Sequence, residues 1–181
     1  MQMFKNPWTI ISSKEMYDNK WISLMEYRVI NPSGGKGIYG KVHFKNRAIG
    51  IVAMDDENHI YLVGQYRFPI DQYSWEIPEG GGAMNEIPLK AAQRELLEET
   101  GLIAKEWKEL MQMHLSNSVT DEEAIVYLAK SLSQHEAQPE ETEDLQIVKL
   151  SFSEAFEKVM KNEITDSITV AAILKLKVLG Y

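Results

Sequence analysis

Two patterns of apolar positions divide the chain. Trp8 to Tyr17, Trp21 to Ile30 and Ile38 to Phe44 are rich in β-branched and aromatic residues and read as strands, with Asn31-Pro32-Ser33-Gly34-Gly35 as a turn. Ala48 to Met54 and Ile60 to Arg67 form a further strand pair, joined by Asp55-Asp56-Glu57-Asn58. A loop carrying Pro69, Pro78, Gly80, Gly81 and Gly82 follows. The period then changes. Leu89, Ala92, Leu96 and Leu97 recur at helical spacing and predict a helix from Pro88 to Thr100. Proline suits its first turn, and Gly101 can take the left-handed conformation that ends it. Strands are expected around Trp107 to Leu115 and Ala124 to Lys130, then an acidic loop from Gln134 to Asp144 and a short strand, Leu145 to Leu150. Ser151-Phe152-Ser153-Glu154 has the form of a capping box, and Asp166 is placed to cap a helix from Ser167 to about Leu179. Strands around a central helix, with helices closing the chain, predict an α/β fold in which a mixed sheet is sandwiched between helices.

Charge narrows the partners. The formal net charge is −8. Neutralising phosphates of duplex DNA or an anionic membrane needs a surplus of Lys and Arg, so neither nucleic acid nor membrane is an expected partner. The chain has no cysteine, which excludes disulfides, thiolate nucleophiles and zinc–thiolate sites. Met1 to Ser13 lacks the apolar run of a signal peptide, and no apolar segment approaches the roughly 18 residues of a membrane span. A cytoplasmic location is the expectation.

The candidate chemistry lies on the central helix. In Arg94-Glu95-Leu96-Leu97-Glu98-Glu99, the glutamates at 95, 98 and 99 are spaced i, i+3 and i+4 and share one face. Like charges so placed oppose the helix by roughly 0.2–0.5 kcal/mol per pair. A hard cation such as Mg²⁺ would remove that penalty. Three glutamates alone are also compatible with a solvated face, but their surroundings are more specific. The string from Gly80 to Leu102, GGGAMNEIPLKAAQRELLEETGL, fits the pattern G-x5-E-x7-R-E-U-x-E-E-x-G-U at every fixed position, with U aliphatic.

That string resembles the signature box of the Nudix hydrolases. The resemblance implies a three-layer Nudix fold and hydrolysis of a nucleoside diphosphate linked to another group, with Mg²⁺, or Mn²⁺ in its place, as cofactor. It implies that Glu95, Glu98 and Glu99 hold the metal, Glu98 being counted among the catalytic glutamates as well, and that the Glu79 backbone carbonyl is a further ligand. Glu86, Arg94 and Gly101 would brace the loop–helix unit, and Gly80 would let the backbone approach the metal closely.

Outside the box, Gln65-Tyr66-Arg67-Phe68-Pro69 and Trp75-Glu76-Ile77-Pro78-Glu79-Gly80 resemble the ADP-ribose pyrophosphatase and nucleoside-diphosphate-sugar hydrolase branch. Arg67 is then a candidate clamp for the substrate diphosphate, through two parallel hydrogen bonds, and Glu76 a candidate contact to metal or ribose. The acidic loop Glu140-Glu141-Thr142-Glu143-Asp144 matches a glutamate-rich loop of that branch. The resemblance assigns the general base to Glu141, with Glu140 as its rival, and a metal contact to Glu143. Position 118 is serine where ADP-ribose-specific members usually carry proline, which favours a broader or different nucleotide sugar such as GDP-mannose.

Residues 1–46 exceed what a minimal Nudix domain needs, and residues 47–181 would form that domain. In this branch such an extra N-terminal β-region builds a homodimer, and Trp8 or Tyr27 is a candidate surface for base stacking. The expected activity is hydrolysis of a nucleoside diphosphate sugar to a nucleoside monophosphate and a sugar phosphate. Its rivals are a nucleoside triphosphate or RNA-end pyrophosphohydrolase and a non-catalytic nucleotide-sugar-binding regulator.

Overall fold

A computed structural model describes residues 5–135 and 145–181. The chain divides into two units. The first contains residues 5–46 together with His114–Glu123. It is built on an antiparallel meander of β1 (Thr9–Asp18), β2 (Ile22–Ile30) and β3 (Lys36–Phe44). Both connections are fixed by side-chain amides. Asn19 Oδ1 accepts from the Trp21 and Ile22 amides at 2.9 and 2.8 Å, and Asn31 Oδ1 accepts from Ser33 and Gly35 at 3.0 and 2.9 Å. The segment His114–Glu123 joins this meander through Val42, whose amide donates to the Val119 carbonyl at 2.9 Å. Strand β1 is exposed along its whole length, Ile10, Ile11, Met16 and Tyr17 included.

The second unit holds residues Arg47–Met113 and, outside 136–144, Ala124–Tyr181. A four-stranded sheet runs in the order β7 (Glu79–Ala83), β4 (Asn46–Ala53), β9 (Glu123–Gln134) and β8 (Leu102–His114). Strands β4 and β9 are parallel, with Ile49 opposite Ile125 and Ile51 opposite Tyr127. A second sheet is antiparallel, in the order β10 (Gln146–Ser151), β5 (His59–Arg67) and β6 (Gln72–Glu76). The helices are α1 (Pro88–Thr100), α2 (Phe152–Met160) and α3 (Ser167–Val178).

Because side chains alternate along a strand, β4 serves two layers. Ile49, Ile51 and Ala53 form one core with Ala91, Ala92 and Leu96 of α1. On the other face, a Cβ at Gly50 would fall 2.8 Å from Ile168 of α3. The sheet thus has a helix against each face, as expected for an α/β fold.

The expected loop between Arg67 and Pro88 contains two strands instead, β6 and β7. Their cause is tertiary. In β6, Tyr73 pairs with Tyr66 and Trp75 with Gly64. Gly64 leaves room for both rings, since a Cβ there would meet the Tyr73 hydroxyl at 2.5 Å and the Trp75 ring at 2.6 Å. Strand β7, Glu-Gly-Gly-Gly-Ala, has almost no strand propensity. It is extended because its glycines fit where side chains would not: a Cβ at Gly82 would press on Ile49 and Ala91 at 3.0 and 3.1 Å. The capped ends follow expectation. Gly101 closes α1 at φ +70°, Ser151 and Glu154 form a capping box on α2, and Asp166 accepts from the Thr169 amide at the start of α3.

Candidate active site

Helix α1 is anchored by one face and chemical on the other. Ala91, Ala92 and Leu96 are fully buried, which fixes the rotation of the helix. That rotation brings Glu95 and Glu99 inward, to 8% and 2% exposure, while Glu98 stays partly exposed. Buried carboxylates are rare because desolvation opposes their charge, so each must be compensated. Arg94 supplies part of that compensation. Its Nη1 donates to Glu95 at 2.7 Å and Glu98 at 2.9 Å, while its Nη2 donates to the Gly81 carbonyl at 3.0 Å and reaches Glu86 at 3.4 Å. Burial alone would lower the Arg94 pKa, but Glu95, then Glu98 and Glu86, hold it above the ordinary arginine value. Strand β7 lies along the carboxylate face. The Glu79 amide donates to Glu99 Oε2 at 2.9 Å, and a Cβ on Gly80 would fall 2.2 Å from the Glu95 carboxyl.

The second half of the site comes from the β5–β6 hairpin and its exit. Arg67 ends β5, and its guanidinium meets Glu76 at the end of β6 edge-on. Nε donates to both Glu76 oxygens at 3.0 and 3.1 Å, and Nη2 donates to Oε2. Nη2 also donates to Glu79 Oε1 at 2.8 Å. The edge expected to clamp a diphosphate is therefore turned toward Glu76, and Glu76 faces this guanidinium. Burial opposes the Arg67 charge, but the Glu76 hydrogen bonds and the charges of Glu76, Glu79 and Asp166 raise its pKa above the ordinary value. Burial pushes the Glu79 carboxyl well above the usual carboxylate range; Asp166 and Glu76 add to this, and Arg67 opposes it. Glu79 Oε2 is buried with no hydrogen-bond partner among the described residues.

Asp166 is the member of this group that sequence reading treats only as a helix cap. Glu76, Glu79 and Asp166 offer oxygens that all lie within 4.8 Å of one another. The signal that joins them is long-range: the Ile77 amide donates to Thr169 Oγ1 at 2.9 Å, which ties α3 to the segment leading into the box. Glu95, Glu98 and Glu99 do not converge as closely, because Arg94 draws the first two to itself while Glu99 accepts from Glu79. The other close set among the described residues, Asp55, Glu57 and His59, forms a turn in which Asp55 also pairs with Lys149 at 2.6 Å. Glu140, Glu141 and Glu143 lie outside the described residues.

The α1 face offers the donor type that a divalent cation takes, although its three glutamates do not converge as Glu76, Glu79 and Asp166 do. Its donors are hard carboxylate oxygens held by a guanidinium, and the missing side chain at Gly80 leaves the Glu95 carboxylate against bare backbone.

In the first unit, a cavity of about 380 Å³ is lined by Trp8, Tyr27, Tyr39, Lys41, Ser118 and Thr120, among others. Trp8 stands edge-on to Tyr39 at 5.3 Å, and the Tyr39 hydroxyl donates to the Ser118 carbonyl. Both aromatic candidates for base stacking, Trp8 and Tyr27, thus face one cavity.

Comparison with known proteins matches residues 44–169 to the NUDIX domain and residues 8–42 to the nucleoside diphosphate sugar hydrolase N-terminal domain. An ADP-ribose pyrophosphatase of Mycobacterium tuberculosis is 35% identical over 95% of this chain and 84% of its own length. An ADP-ribose pyrophosphatase of Bacillus subtilis is 31% identical over 92% of this chain and 91% of its own. A crystal structure of an ADP compounds hydrolase shares the fold, with a TM-score of 0.86 at 18% identity, covering 98% of this chain and 96% of the other.

Proposed function

We propose, from the premise that this chain belongs to the Nudix family and is a Nudix hydrolase, that it hydrolyses the diphosphate of a nucleoside diphosphate sugar with Mg²⁺ as cofactor. The observation that carries this reading is the placement of β7 along the carboxylate face of α1, with the Glu79 amide on Glu99 and bare Gly80 against Glu95. ADP-ribose is the first candidate, because two relatives similar over nearly the whole chain bear the name ADP-ribose pyrophosphatase. Ser118 keeps GDP-mannose as the second.

Glu95, Glu99 and Glu98 would hold the cation, with the Glu79 carbonyl beside them. When bound, it supplies positive charge against the diphosphate and acidifies water. Arg67 binds a phosphate oxygen and orients the diphosphate. A loop glutamate, Glu141 or its rival Glu140, would take the proton as water attacks phosphorus, and Glu143 would add a contact to the cation. One P–O bond forms and the bridging P–O bond breaks, giving a nucleoside monophosphate and a sugar phosphate. Arg94 and Glu86 keep the carboxylates in position throughout.

The N-terminal meander would pair with a second copy of the chain. Ile10, Ile11, Met16, Trp21 and Ile38 are all at least 50% exposed, an apolar surface that suits a covered face. Sedimentation equilibrium tests this, and a monomer at micromolar concentration would refute it.

The activity is tested by incubating the protein with ADP-ribose, GDP-mannose, other nucleoside diphosphate sugars, diadenosine polyphosphates and deoxynucleoside triphosphates. Mg²⁺, Mn²⁺ and chelator are compared. Cleavage of one or more nucleotide sugars, lost on chelation, is expected. Turnover of triphosphates alone would assign the chain to another branch, and nucleotide binding without turnover would make it a regulator.

A further inference from the structure

We propose that the Glu79 side chain is a positioning residue that braces the Arg67 guanidinium so that Nη1 faces the substrate diphosphate. The inference rests on the reading above that Arg67 receives that diphosphate. A guanidinium has five N–H donors in one plane, one on Nε and two on each Nη. Glu76 takes the Nε hydrogen and one on Nη2, and Glu79 Oε1 accepts from Nη2 at 2.8 Å. Among the described residues no acceptor stands on Nη1. The Arg67 side chain is 36% exposed, whereas those of Glu76 and Glu79 are 3% and 14% exposed. One end of the guanidinium is thus held inside and the other offered outward.

Glu76 alone grips a single edge, about which the guanidinium can tilt. The second acceptor on Nη2 removes that freedom. Glu79 suits the task because its backbone is itself pinned. Its amide donates to Glu99, the preceding Pro78 carbonyl accepts from Ile51 at 2.8 Å, and the Ile77 amide is tied to Thr169 of α3. A single residue therefore sets the clamp at a fixed distance from the carboxylate face of α1. Such preorganisation acts on how well the diphosphate is received.

The test compares Glu79→Ala, Glu79→Gln, Arg67→Ala and the Arg67→Ala/Glu79→Ala double variant. Affinity for the non-hydrolysable α,β-methylene analogue of ADP-ribose is measured by calorimetry with Mg²⁺, alongside kcat and KM for ADP-ribose. Glu79→Ala is expected to weaken analogue binding and raise KM about tenfold, the worth of one charge-assisted hydrogen bond, with the loss falling on KM rather than kcat. Glu79→Gln keeps an acceptor for Nη2 and restores most of the affinity. In the Arg67→Ala background, Glu79→Ala adds no further loss.

Three results would overturn the proposal: a loss that persists without Arg67, a Gln variant as weak as the Ala variant, or a shifted Mg²⁺ half-saturation. If Glu79→Ala does not fold, as judged by its melting curve, Glu79→Ser is too short to reach Nη2 and replaces it. A wild-type protein that binds the analogue without cleaving any nucleotide sugar refutes the hydrolase reading while the affinities still test the brace. Failure to bind it excludes ADP-ribose alone, and the same four variants are then compared on the α,β-methylene analogue of the nucleotide sugar that the wild-type protein cleaves.

Discussion

The Glu95 carboxylate occupies the volume that a side chain at Gly80 would need, since a Cβ there would fall 2.2 Å from the Glu95 carboxyl carbon. Glycine is required at this position by close approach. Gly80→Ala is expected to displace Glu95 by an ångström or so and lower hydrolysis about 100-fold, the scale of loss that such misplacement produces. The fold should persist, because β7 pairs through its backbone. Full activity in a folded Gly80→Ala protein would show that Glu95 is not needed where it stands.

Arg94 joins four groups: Glu95, Glu98, Glu86 and the Gly81 carbonyl. A lysine keeps the charge but cannot reproduce the planar fork. Arg94→Lys is expected to reduce turnover by about tenfold and to lower the melting temperature by a few degrees. A raised Mg²⁺ half-saturation in the same variant would locate the effect at the α1 carboxylates. An unchanged enzyme would mean that the fork serves no purpose in the site.

Thr169 is fully buried, and its hydroxyl oxygen accepts from the amide of Ile77, itself fully buried. Thr169→Val keeps the shape and leaves that amide unpaired, at a cost of about 1–3 kcal/mol. Urea unfolding should show a lower midpoint with an unchanged slope. An unaltered midpoint would exclude this hydrogen bond as a support of the β6–β7 connection.

Asp121 gathers Lys41 Nζ at 2.8 Å, His43 Nδ1 at 2.8 Å and the Phe44 amide at 3.1 Å. Partial burial would raise its pKa, but the Lys41 and His43 hydrogen bonds and the Phe44 amide outweigh it and hold the group at about 2, below its ordinary 3.8. A carboxyl with a depressed folded pKa favours the folded state above its unfolded pKa. That contribution disappears as the pH falls through the folded value. Asp121→Asn should therefore melt below wild type at pH 7, and the gap should close between about pH 4 and pH 2. Both partners are more than a third exposed, so solvent screening keeps the contribution under about 1 kcal/mol. Added salt should shrink it further. A gap that stays constant down to pH 2 would show that the charge on Asp121 is not its source.

Sequence alone determined those features that depend on neighbours along the chain. The apolar stripe of α1, its proline start, the left-handed Gly101, the Ser151–Glu154 box and the Asp166 cap are all local patterns, and they stand where expected. So does the run of glutamates on α1, because helical spacing places them on one face. The tertiary structure decided the rest. Strand β7 has glycine at three of its five positions and becomes a strand by pairing with β4, where Ile49, Ala91 and Glu95 leave no room for side chains at Gly80 and Gly82. Arg67, Glu76 and Glu79 meet because a hairpin turns through Asp71 at φ +54°, and Asp166 joins them from a helix far along the chain. Local periodicity records which way a side chain points, but only packing decides what it meets there.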